Sequence, residues 1–504
     1  MSHTLNVEGP KHSIAAIAIA IGTAVFGPVG HARNISAQAP KHGAASPIST
    51  LVRASEVGAH LDSDLMKGGG TDDTSILQGI LDRAKGGEGV HLIIDGPALV
   101  TGLDIYSNST IECTGGGGLY LKDGSNRAIV RNGHRSRFEV TDQRVGIRNC
   151  FLNGNSDGQL VVGPPLSMYR VAQEADGTFM SGLQFSGVHY LVVENVHLWN
   201  IRSFGMGVAN AKFIQIRDVT VDIGAPPFPT SGGLAAAQAW MKKYAGNRDG
   251  LNFAGPIQYV TINGVLLRSW DDALSFHADV AATATRENVL GPFLGGGPIT
   301  DVTVNNVVFE GASHGIRLQS ASERMDRIII SNVSGTVRER MAVISSMGLR
   351  GGGNFGSIIM SNVNVDLLDS YSREDLYAPL MDALPAEALA ETQAWWKFES
   401  LDIGEESDLP LFSLNGDIEN LQLRQVATKG IAKRPLIRIG NHAAIGALTV
   451  DLSIHSTDQT AVPMKILGKI ERANIFLDWG GKSPIEYHGG GAIAQLRWDG
   501  PEYK

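Results

Sequence analysis

Residues 302–307 read VTVNNV, and residues 328–333 read IIISNV. Both runs are short and rich in Val or Ile, and both place an asparagine before a closing valine. Related runs occur on either side, namely LVVENV (191–196), FIQIRDV (213–219), VTINGV (260–265), IIMSNV (358–363) and LQLRQV (421–426). The polar residue before the valine recurs at short, similar intervals, from Asn195 to Asp218 and from Asn306 to Asn332. A period in the low-to-mid twenties, with Asn or Gly at the corners, indicates a parallel β-solenoid.

The repeat predicts an all-β fold, a right-handed parallel β-helix. One coil cannot bury its inward apolar face alone, so coils stack and share one core. A β-sandwich would also have short strands, but it would not repeat such anchors along the chain. Asparagine at a corner tolerates left-handed backbone angles and can bond to its neighbour in the next coil. Asn149 holds the marker position before Cys150, and its distance along the chain from Asn195, about twice the period, predicts two further coils.

The ends and interruptions of the solenoid divide the chain. Thr71-Asp72-Asp73-Thr74, followed by apolar residues through Leu81, predicts a capped amphipathic helix. This helix should cover the N-terminal end, because an open coil exposes apolar side chains and strand edges. Val90–Ile94 is the expected first strand. We predict an export signal at 1–39, a linker at 40–60, and the β-helix at 61–504 with loop insertions near 224–246 and 369–411.

Residues 11–39 have the pattern of a secretory signal. Lys11 and His12 precede an apolar run from Ile14 to Val29, and small residues follow at 36–39. An unordered tail and a retained anchor are the alternatives. We expect a secreted or periplasmic protein, since no later segment is long and apolar enough to cross a bilayer.

The composition excludes several classes of partner. The chain of 504 residues carries 42 Lys+Arg against 51 Asp+Glu, a formal charge of -9. Without a basic stretch, neither nucleic acid nor an anionic membrane is an expected partner. The 61 glycines favour many tight turns. Cys113 and Cys150 could form one bridge, but the sequence leaves this open, as it does the oligomeric state.

Unusual polar residues concentrate in two neighbouring repeats. Residues 247–250 read NRDG, and residues 269–277 read SWDDALSFH. Asp249 and Asp271 are one repeat apart along the chain, so Asp249 should lie beside Asp271 and Asp272 on the next coil. Adjacent strands are roughly 4.8 Å apart. Three carboxylates would therefore converge, and their repulsion should raise at least one pKa. The alternative is that these residues only bond to local turn amides.

These segments resemble glycoside hydrolase family 28, the polygalacturonase and rhamnogalacturonase group, whose motifs are NTDG, (G/Q)DD, GHG and RIK. Asn247-Arg248-Asp249-Gly250 matches the first except for arginine in place of threonine. Trp270-Asp271-Asp272-Ala273 matches the second. Gly315–Gln319 is our candidate for RIK: Arg317 keeps the arginine, and Gln319 replaces the lysine. No clear GHG match is present, and His277 or His314 could supply its imidazole.

The resemblance implies inverting hydrolysis of a polysaccharide without metal or cofactor. Asp271 would protonate the glycosidic oxygen, and Asp249 and Asp272 would activate a water. Arg317 would hold a sugar carboxylate or hydroxyl. Losing the lysine favours a neutral or mixed sugar over polygalacturonate. The predicted substrate-binding residues are Asn247, Trp270, His277, His314, Arg317 and Gln319.

The tryptophans in this region allow two interpretations. Trp199, Trp240 and Trp270 could stack on sugar rings or pack inside the protein. Trp395 and Trp396 could form a lid or anchor the acidic insertion.

Two other functions remain open. A polysaccharide lyase on the same solenoid would combine Ca²⁺-binding acids with an Arg or Lys base, and Arg317 near three Asp residues allows this. A non-catalytic carbohydrate-binding or adhesive β-helix would use the acidic residues only as turn residues. The changed GHG motif is compatible with this last possibility.

Overall fold

The computed structural model describes residues 49–160, 180–229, 231–244, 248–278, 296–346, 352–368, 373–382, 410–429, 434–455, 462–479 and 484–499, together with positions 178, 246, 384–386, 389, 390 and 393. The predicted export signal, Asn247, Trp395 and Trp396 lie outside the described residues. In the described part of the chain, no helix has both the length and the apolar character needed to cross a membrane.

The described residues form short and long β-strands and a few helices. The strands are β1 Ser49–Arg53, β2 Gly89–Ile94, β3 Pro97–Val100, β4 Leu103–Ile105, β5 Ser109–Cys113, β6 Gly118–Leu121, β7 Val130–Asn132, β8 Asp142–Arg148, β9 Phe151–Asn153, β10 Leu183–Trp199, β11 Met206–Asp222, β12 Leu251–Arg268, β13 Asp272–His277, β14 Ile299–Gln319, β15 Met325–Ser345, β16 Phe355–Leu367, β17 Phe412–Asn415, β18 Asp417–Thr428, β19 Ile437–Ile439, β20 Ala444–Ile454, β21 Met464–Ile466, β22 Lys469–Asp478, β23 Ile485–Tyr487 and β24 Ala492–Asp499. The α-helices are α1 Thr74–Leu81, α2 Gly233–Tyr244 and α3 Arg373–Met381, and 3₁₀ helices occupy Ser55–Val57, Asp82–Gly86 and Ser156–Gly158.

The strands stack as a right-handed parallel β-helix, which confirms the predicted fold. The longest strands bend at corners and so serve more than one face of the solenoid. In β12, residues 251–254 pair with β13, whereas residues 257–267 pair with β14. We call the sheet that contains β13 the site face; its coils include residues 206–209, 251–254, 274–277, 316–319 and 342–345.

The corner ladder predicted from the asparagines is present. Asn332 has a left-handed backbone with φ of 55°, and its amide donates to Asn305 Oδ1 at 2.7 Å. Asn362 adopts the same conformation and donates to Asn332 Oδ1 at 2.6 Å. Left-handed angles cost most residues energy, but asparagine adopts them readily and can bond along the stack. Each coil thus fixes the register of the next.

The predicted spacing of two coils between Asn149 and Asn195 is wrong. Strand β8 pairs directly with β10, with Arg148 opposite Glu194, and the Asn195 amide donates to Asn149 Oδ1 at 3.0 Å. The two asparagines therefore lie on adjacent coils. The long interval between them is a single coil with extra sequence inserted into it.

The N-terminal end is covered by α1, as predicted. Its Leu77, Ile80 and Leu81 are buried in the solenoid core. The helix begins at Thr74, and the Asp72 carboxylate just before it accepts hydrogen bonds from the backbone and hydroxyl of Thr74. Asp73, in turn, accepts from the backbone amides of His60 and Leu61.

Two boundary questions are also resolved at this end. The segment predicted as a linker contains β1, which pairs in parallel with β2, so the β-helix begins before residue 61 and Val90–Ile94 is not its first strand. Cys113 and Cys150, for which the sequence left pairing open, form a disulfide.

The two predicted insertions meet beside the solenoid. Helix α2 lies in the first insertion and α3 in the second, and the two pack together. They form a second apolar cluster, separate from the main core, which includes Trp240, Met241, Trp270, Tyr377 and Leu380. The Trp240 indole donates to the carbonyl of Pro226 at 2.8 Å. The insertions therefore cover the solenoid next to Asp271.

Candidate active site

Asp249 and Asp272 meet on adjacent coils of the site face. Leu251 pairs with Leu274 in the parallel register, and the Gly250 amide donates to the Asp272 carbonyl at 2.9 Å. Carboxylate oxygens of Asp249 and Asp272 lie within 4.8 Å of each other. Of the predicted convergence of three carboxylates, the meeting of Asp249 with Asp272 is thus present. The local repeat is one residue longer than expected, so Asp249 lies opposite Asp272 rather than Asp271.

Asp249 is buried and oriented by two neighbours that the sequence analysis missed. Its Oδ2 accepts from Asn252 Nδ2 at 2.9 Å and from Ser275 Oγ at 3.0 Å. The Asn252 amide also donates to Ser275 Oγ at 2.9 Å. Asn252 is flanked by Leu251 and Phe253, and Ser275 by Leu274 and Phe276, and the two polar residues are paired in register. A polar residue between two apolar ones, at matching positions of adjacent coils, was the sequence pattern that could have identified Asn252 and Ser275.

Asp272 lies between an arginine and a histidine from the next coil. The Arg317 Nε donates to its Oδ2 at 2.6 Å, and His314 Nδ1 lies 2.8 Å from its Oδ1. Burial alone would raise the pKa of Asp272, but the charge of Arg317 and the hydrogen bonds from both residues outweigh it. The pKa of this carboxyl is therefore well below its usual range. Asp272 is therefore ionised at neutral pH.

At Asp272 the predicted repulsion between like charges is outweighed, so this carboxyl is not the one with a raised pKa. Asp271 has a different environment. The Asp271 side chain is 21% exposed, whereas that of Asp272 is 8% exposed. Asp271 Oδ1 lies 3.9 Å from His314 Nδ1. Of the two adjacent carboxyl groups, Asp271 is the one that solvent or a ligand reaches more easily.

His314 is held from its other side by Glu339 and Arg340, which the sequence analysis also missed. Arg340 Nη1 lies 2.9 Å from His314 Nε2, and Glu339 Oε2 lies 3.6 Å from the same nitrogen. An arginine lies near each ring nitrogen, since Arg317 Nη2 is 3.2 Å from Nδ1. The shorter contact at Nδ1 is the one with the Asp272 carboxylate, which can only accept, so we assign the proton to Nδ1 and the acceptor role to Nε2. Burial lowers the pKa of His314, which favours this neutral form.

His314 and Arg317, both predicted as substrate-binding residues, contact Asp272 instead. His314 pairs in register with Asp272 although the two are far apart in sequence, and Arg340 pairs in register with His314 one coil further on. The extra sequence after β13 hid the coil spacing from the sequence analysis. The order Asp272, His314, Arg340 therefore follows three successive coils.

His277 and Gln319 also lie at the site face, on adjacent coils. His277 Nδ1 is 3.2 Å from Gln319 Oε1, and a ring nitrogen lies within 4.8 Å of carboxylate oxygens of Asp249 and Asp272. Both side chains are buried. Burial lowers the pKa of His277 to about 4, so its imidazole is neutral.

Trp270 does not present a face for sugar stacking, contrary to the prediction. It is 8% exposed, and its ring lies against the Arg338 guanidinium, 5.1 Å away, and the ring of Tyr377. Arg338 also donates to the carbonyl of Trp270 and, at 2.8 Å, to that of Gly311. Trp270 thus joins the insertions to the solenoid. Trp240 is buried in the same cluster.

Among the residues that the structure describes, two groups of side chains have the arrangement of a metal site. They are Asp249, Asp272 and His277, and Asp271, Asp272 and His314, each with ligand atoms within 4.8 Å of one another. Asp272 belongs to both groups, and its two oxygens already accept from His314 and Arg317. A cation in either group would be repelled by the guanidinium that already neutralises Asp272.

The known proteins that this chain is similar to were found by similarity of fold. No protein-family model matches the chain, and no curated protein sequence matches it. The family 28 exopolygalacturonase of Yersinia enterocolitica is 13% identical, with 90% of this chain and 79% of that chain covered and a TM-score of 0.49. The hyperthermoactive exopolygalacturonase of Thermotoga maritima is 12% identical, with 86% and 92% covered and a TM-score of 0.46. PfbA, a surface adhesin of Streptococcus pneumoniae, is 12% identical, with 90% and 92% covered and a TM-score of 0.42. Similarity of this degree assigns no activity.

Proposed function

We propose that the chain is an inverting glycoside hydrolase that cleaves a pectin-like polysaccharide. One observation carries the proposal: Asp272 is kept ionised by Arg317 and His314, beside the more accessible Asp271 and opposite Asp249. Adjacent carboxyl groups in different environments can take the two opposite roles of acid and base.

The roles follow from these environments. Asp272 cannot give up a proton that it does not hold, so it acts with Asp249 to bind and deprotonate the attacking water. Asp271 protonates the glycosidic oxygen as the bond from that oxygen to the anomeric carbon breaks. The water oxygen bonds to the anomeric carbon and inverts its configuration. One proton of the water passes to the carboxylate base, and exchange with solvent resets both groups.

The order of the motifs supports this assignment. After Asp249 and the Asp271–Asp272 pair, the next coil carries Ser313-His314-Gly315, and the following coil carries Arg338-Glu339-Arg340. We take these as the counterparts of GHG and RIK, which replaces the assignment of RIK to Arg317. Arg338 and Arg340 are both hydrogen-bonded inside the protein, so they act on the site through His314 and Trp270.

We also propose that the protein is exported, with residues 1–39 as its signal. The disulfide between Cys113 and Cys150 supports an oxidising compartment, because such bonds are rare in reducing cytosol.

A lyase is less well supported by the same contacts. Its arginine base would have to lose a proton, but Arg317 donates to the buried Asp272 carboxylate, which stabilises its charged form. A purely structural role for the acids is also less well supported, since turn carboxylates bond to local amides, whereas Asp272 pairs with side chains from another coil.

The experiment is a screen of pectic and neutral polysaccharides that records reducing ends and ultraviolet absorbance. We expect new reducing ends without an unsaturated product, unchanged by a chelator. Asp271→Asn should lose at least about 100-fold in kcat, because general acid catalysis contributes roughly that much or more. An absorbing, chelator-sensitive product would reject the hydrolase in favour of a lyase.

A further inference from the structure

The imidazole of His277 has one nitrogen that no protein group in the described residues uses. Gln319 is its only hydrogen-bond partner there, through Nδ1 and the amide oxygen Oε1. Because an amide oxygen can only accept, Nδ1 carries the proton and Nε2 carries the lone pair. The ring lies beside Asp249 and Asp272, yet it makes no direct hydrogen bond to either carboxylate.

Charge and burial define what can occupy the space between these three side chains. The groups that face the ring are the carboxylates of Asp249 and Asp272 and the guanidinium of Arg317; Asp272 raises the pKa of His277 and Arg317 lowers it, but burial has the largest effect and keeps the ring neutral. Two carboxylates and a neutral imidazole offer hydrogen-bond acceptors to a common space. A molecule with two O–H donors satisfies such an arrangement.

The distances favour water over a cation. Ligand atoms up to 4.8 Å apart can be bridged by one water, since each hydrogen bond spans about 2.8 Å. A metal bound at about 2.0–2.2 Å would have to draw the same atoms inward. It would also be repelled by Arg317. Gln319 adds an independent sign of a small polar ligand: its Nε2 is buried, the residue being 1% exposed, and has no hydrogen-bond partner among the described residues.

Building on the proposed hydrolase, we propose that His277 is a further catalytic residue that orients the attacking water, and that Gln319 positions it. The water donates one hydrogen to the carboxylate base and the other to His277 Nε2, which leaves a lone pair directed at the anomeric carbon. His277 stays neutral throughout. The proton lost by the water passes to the carboxylate, and the proton gained by the leaving oxygen comes from Asp271.

The test compares three variants on the polysaccharide that the wild type cleaves. His277→Leu should lower kcat about 100-fold with KM within a factor of about three, since misplacing a reacting group costs that much. His277→Gln keeps an acceptor near the position of Nε2 and should retain activity to within about tenfold. His455→Ala, an exposed histidine on a distant coil, is the control and should not change either constant.

A spectroscopic measurement separates this role from a structural one. In a proton–nitrogen spectrum of histidine-labelled protein, the signal lost in His277→Gln should be that of a neutral ring protonated at Nδ1. Gln319→Leu should change that tautomer and lower kcat about tenfold, as for outer partners that orient a ligand. A ring protonated at Nε2 in the wild type would overturn the inference.

The outcomes distinguish the two proposals. Wild-type turnover in His277→Leu, with Asp271→Asn inactive, would overturn the role of His277 and leave the hydrolase intact. Wild-type protein that releases no reducing ends from any polysaccharide would overturn both. A loss of kcat in His277→Leu that His277→Gln restores supports the inference.

Discussion

His314 Nδ1 lies 2.8 Å from Asp272 Oδ1, although the two positions are far apart in the chain. The parallel register brings them face to face on adjacent coils. Arg340, one coil further on, contacts the other ring nitrogen of His314, and Arg317 neutralises the second oxygen of Asp272. The side chains of the site thus come from successive coils and contact one another. The pKa of Asp272 therefore depends on how the coils of the solenoid stack.

Removing the charge of Arg317 should raise the pKa of Asp272. In Arg317→Met, Asp272 remains buried, but the positive charge that does most to lower its pKa is lost. The pKa of Asp272 therefore rises. We expect kcat to fall at least tenfold at neutral pH and the acidic limb of its pH profile to move to higher pH. Stability should fall by about 3–5 kcal/mol, as when one partner of a buried pair is removed.

A matched control for this change is Arg327→Met. Arg327 pairs with Asp301 through two nitrogens, but its side chain is 55% exposed. Exposed pairs are worth about 0–1 kcal/mol, so this variant should unfold at nearly the wild-type denaturant concentration. Equal losses in the two variants would contradict the special role of the buried pair.

The lowered pKa of Asp272 also predicts how stability depends on pH. A carboxyl whose folded pKa lies below its unfolded value of about 3.9 contributes stability that is present above that value. The contribution is lost as pH falls through the lower folded pKa. Asp272→Asn should therefore be less stable than the wild type at pH 5–7, and the difference should shrink below about pH 4. A difference that grows on acidification would contradict the assignment.

The solenoid was predictable because its signal is local and repeated. Asn-Val corners recur along the solenoid, and their amides form the expected ladder at Asn332 and Asn362. The meeting of Asp249 with Asp272 was predictable for the same reason, since no extra sequence separates their coils.

Other features depend on parts of the chain that depart from the repeat. The extra sequence before Asn195 and before His314 lengthens single coils, so spacing alone could not align Arg340 with the site. The burial of Trp270 depends on helices α2 and α3, which meet it only in the folded protein. Strand β1 lacks the Asn-Val marker, and its pairing with β2 has no counterpart in the sequence pattern.

Two variants of Asn332 should separate the contribution of backbone conformation to stability from that of the side-chain hydrogen bond. Asn332→Gly keeps the left-handed angle easily but loses the amide, so we expect a loss of about 1 kcal/mol. Asn332→Val loses both, and a β-branched residue at φ of 55° should add about 1–2 kcal/mol more. Denaturant unfolding measures both values. Equal stability of the two variants would show that the angle does not matter there.

The disulfide should stabilise the N-terminal coils. Cys113 and Cys150 are 37 residues apart in sequence, and closing a loop of that size is worth about 3–4 kcal/mol in the chain-entropy account. We expect the double variant Cys113→Ala and Cys150→Ala to unfold earlier in denaturant, while reductant should no longer affect it. Activity at low temperature should persist, because neither cysteine contacts the site. Unchanged stability would contradict a structural role for the bond.

In the proposed mechanism, Asp271 acts as the acid while Asp249 and the ionised Asp272 direct water to the opposite face of the sugar. Nuclear magnetic resonance of the first product formed from a cleaved polysaccharide tests this most directly. We predict that the new reducing end first appears with the anomeric configuration opposite to that of the bond cut, and that Asp271→Asn forms almost none of it. A product that keeps the original configuration, or normal turnover in Asp271→Asn, would contradict the account.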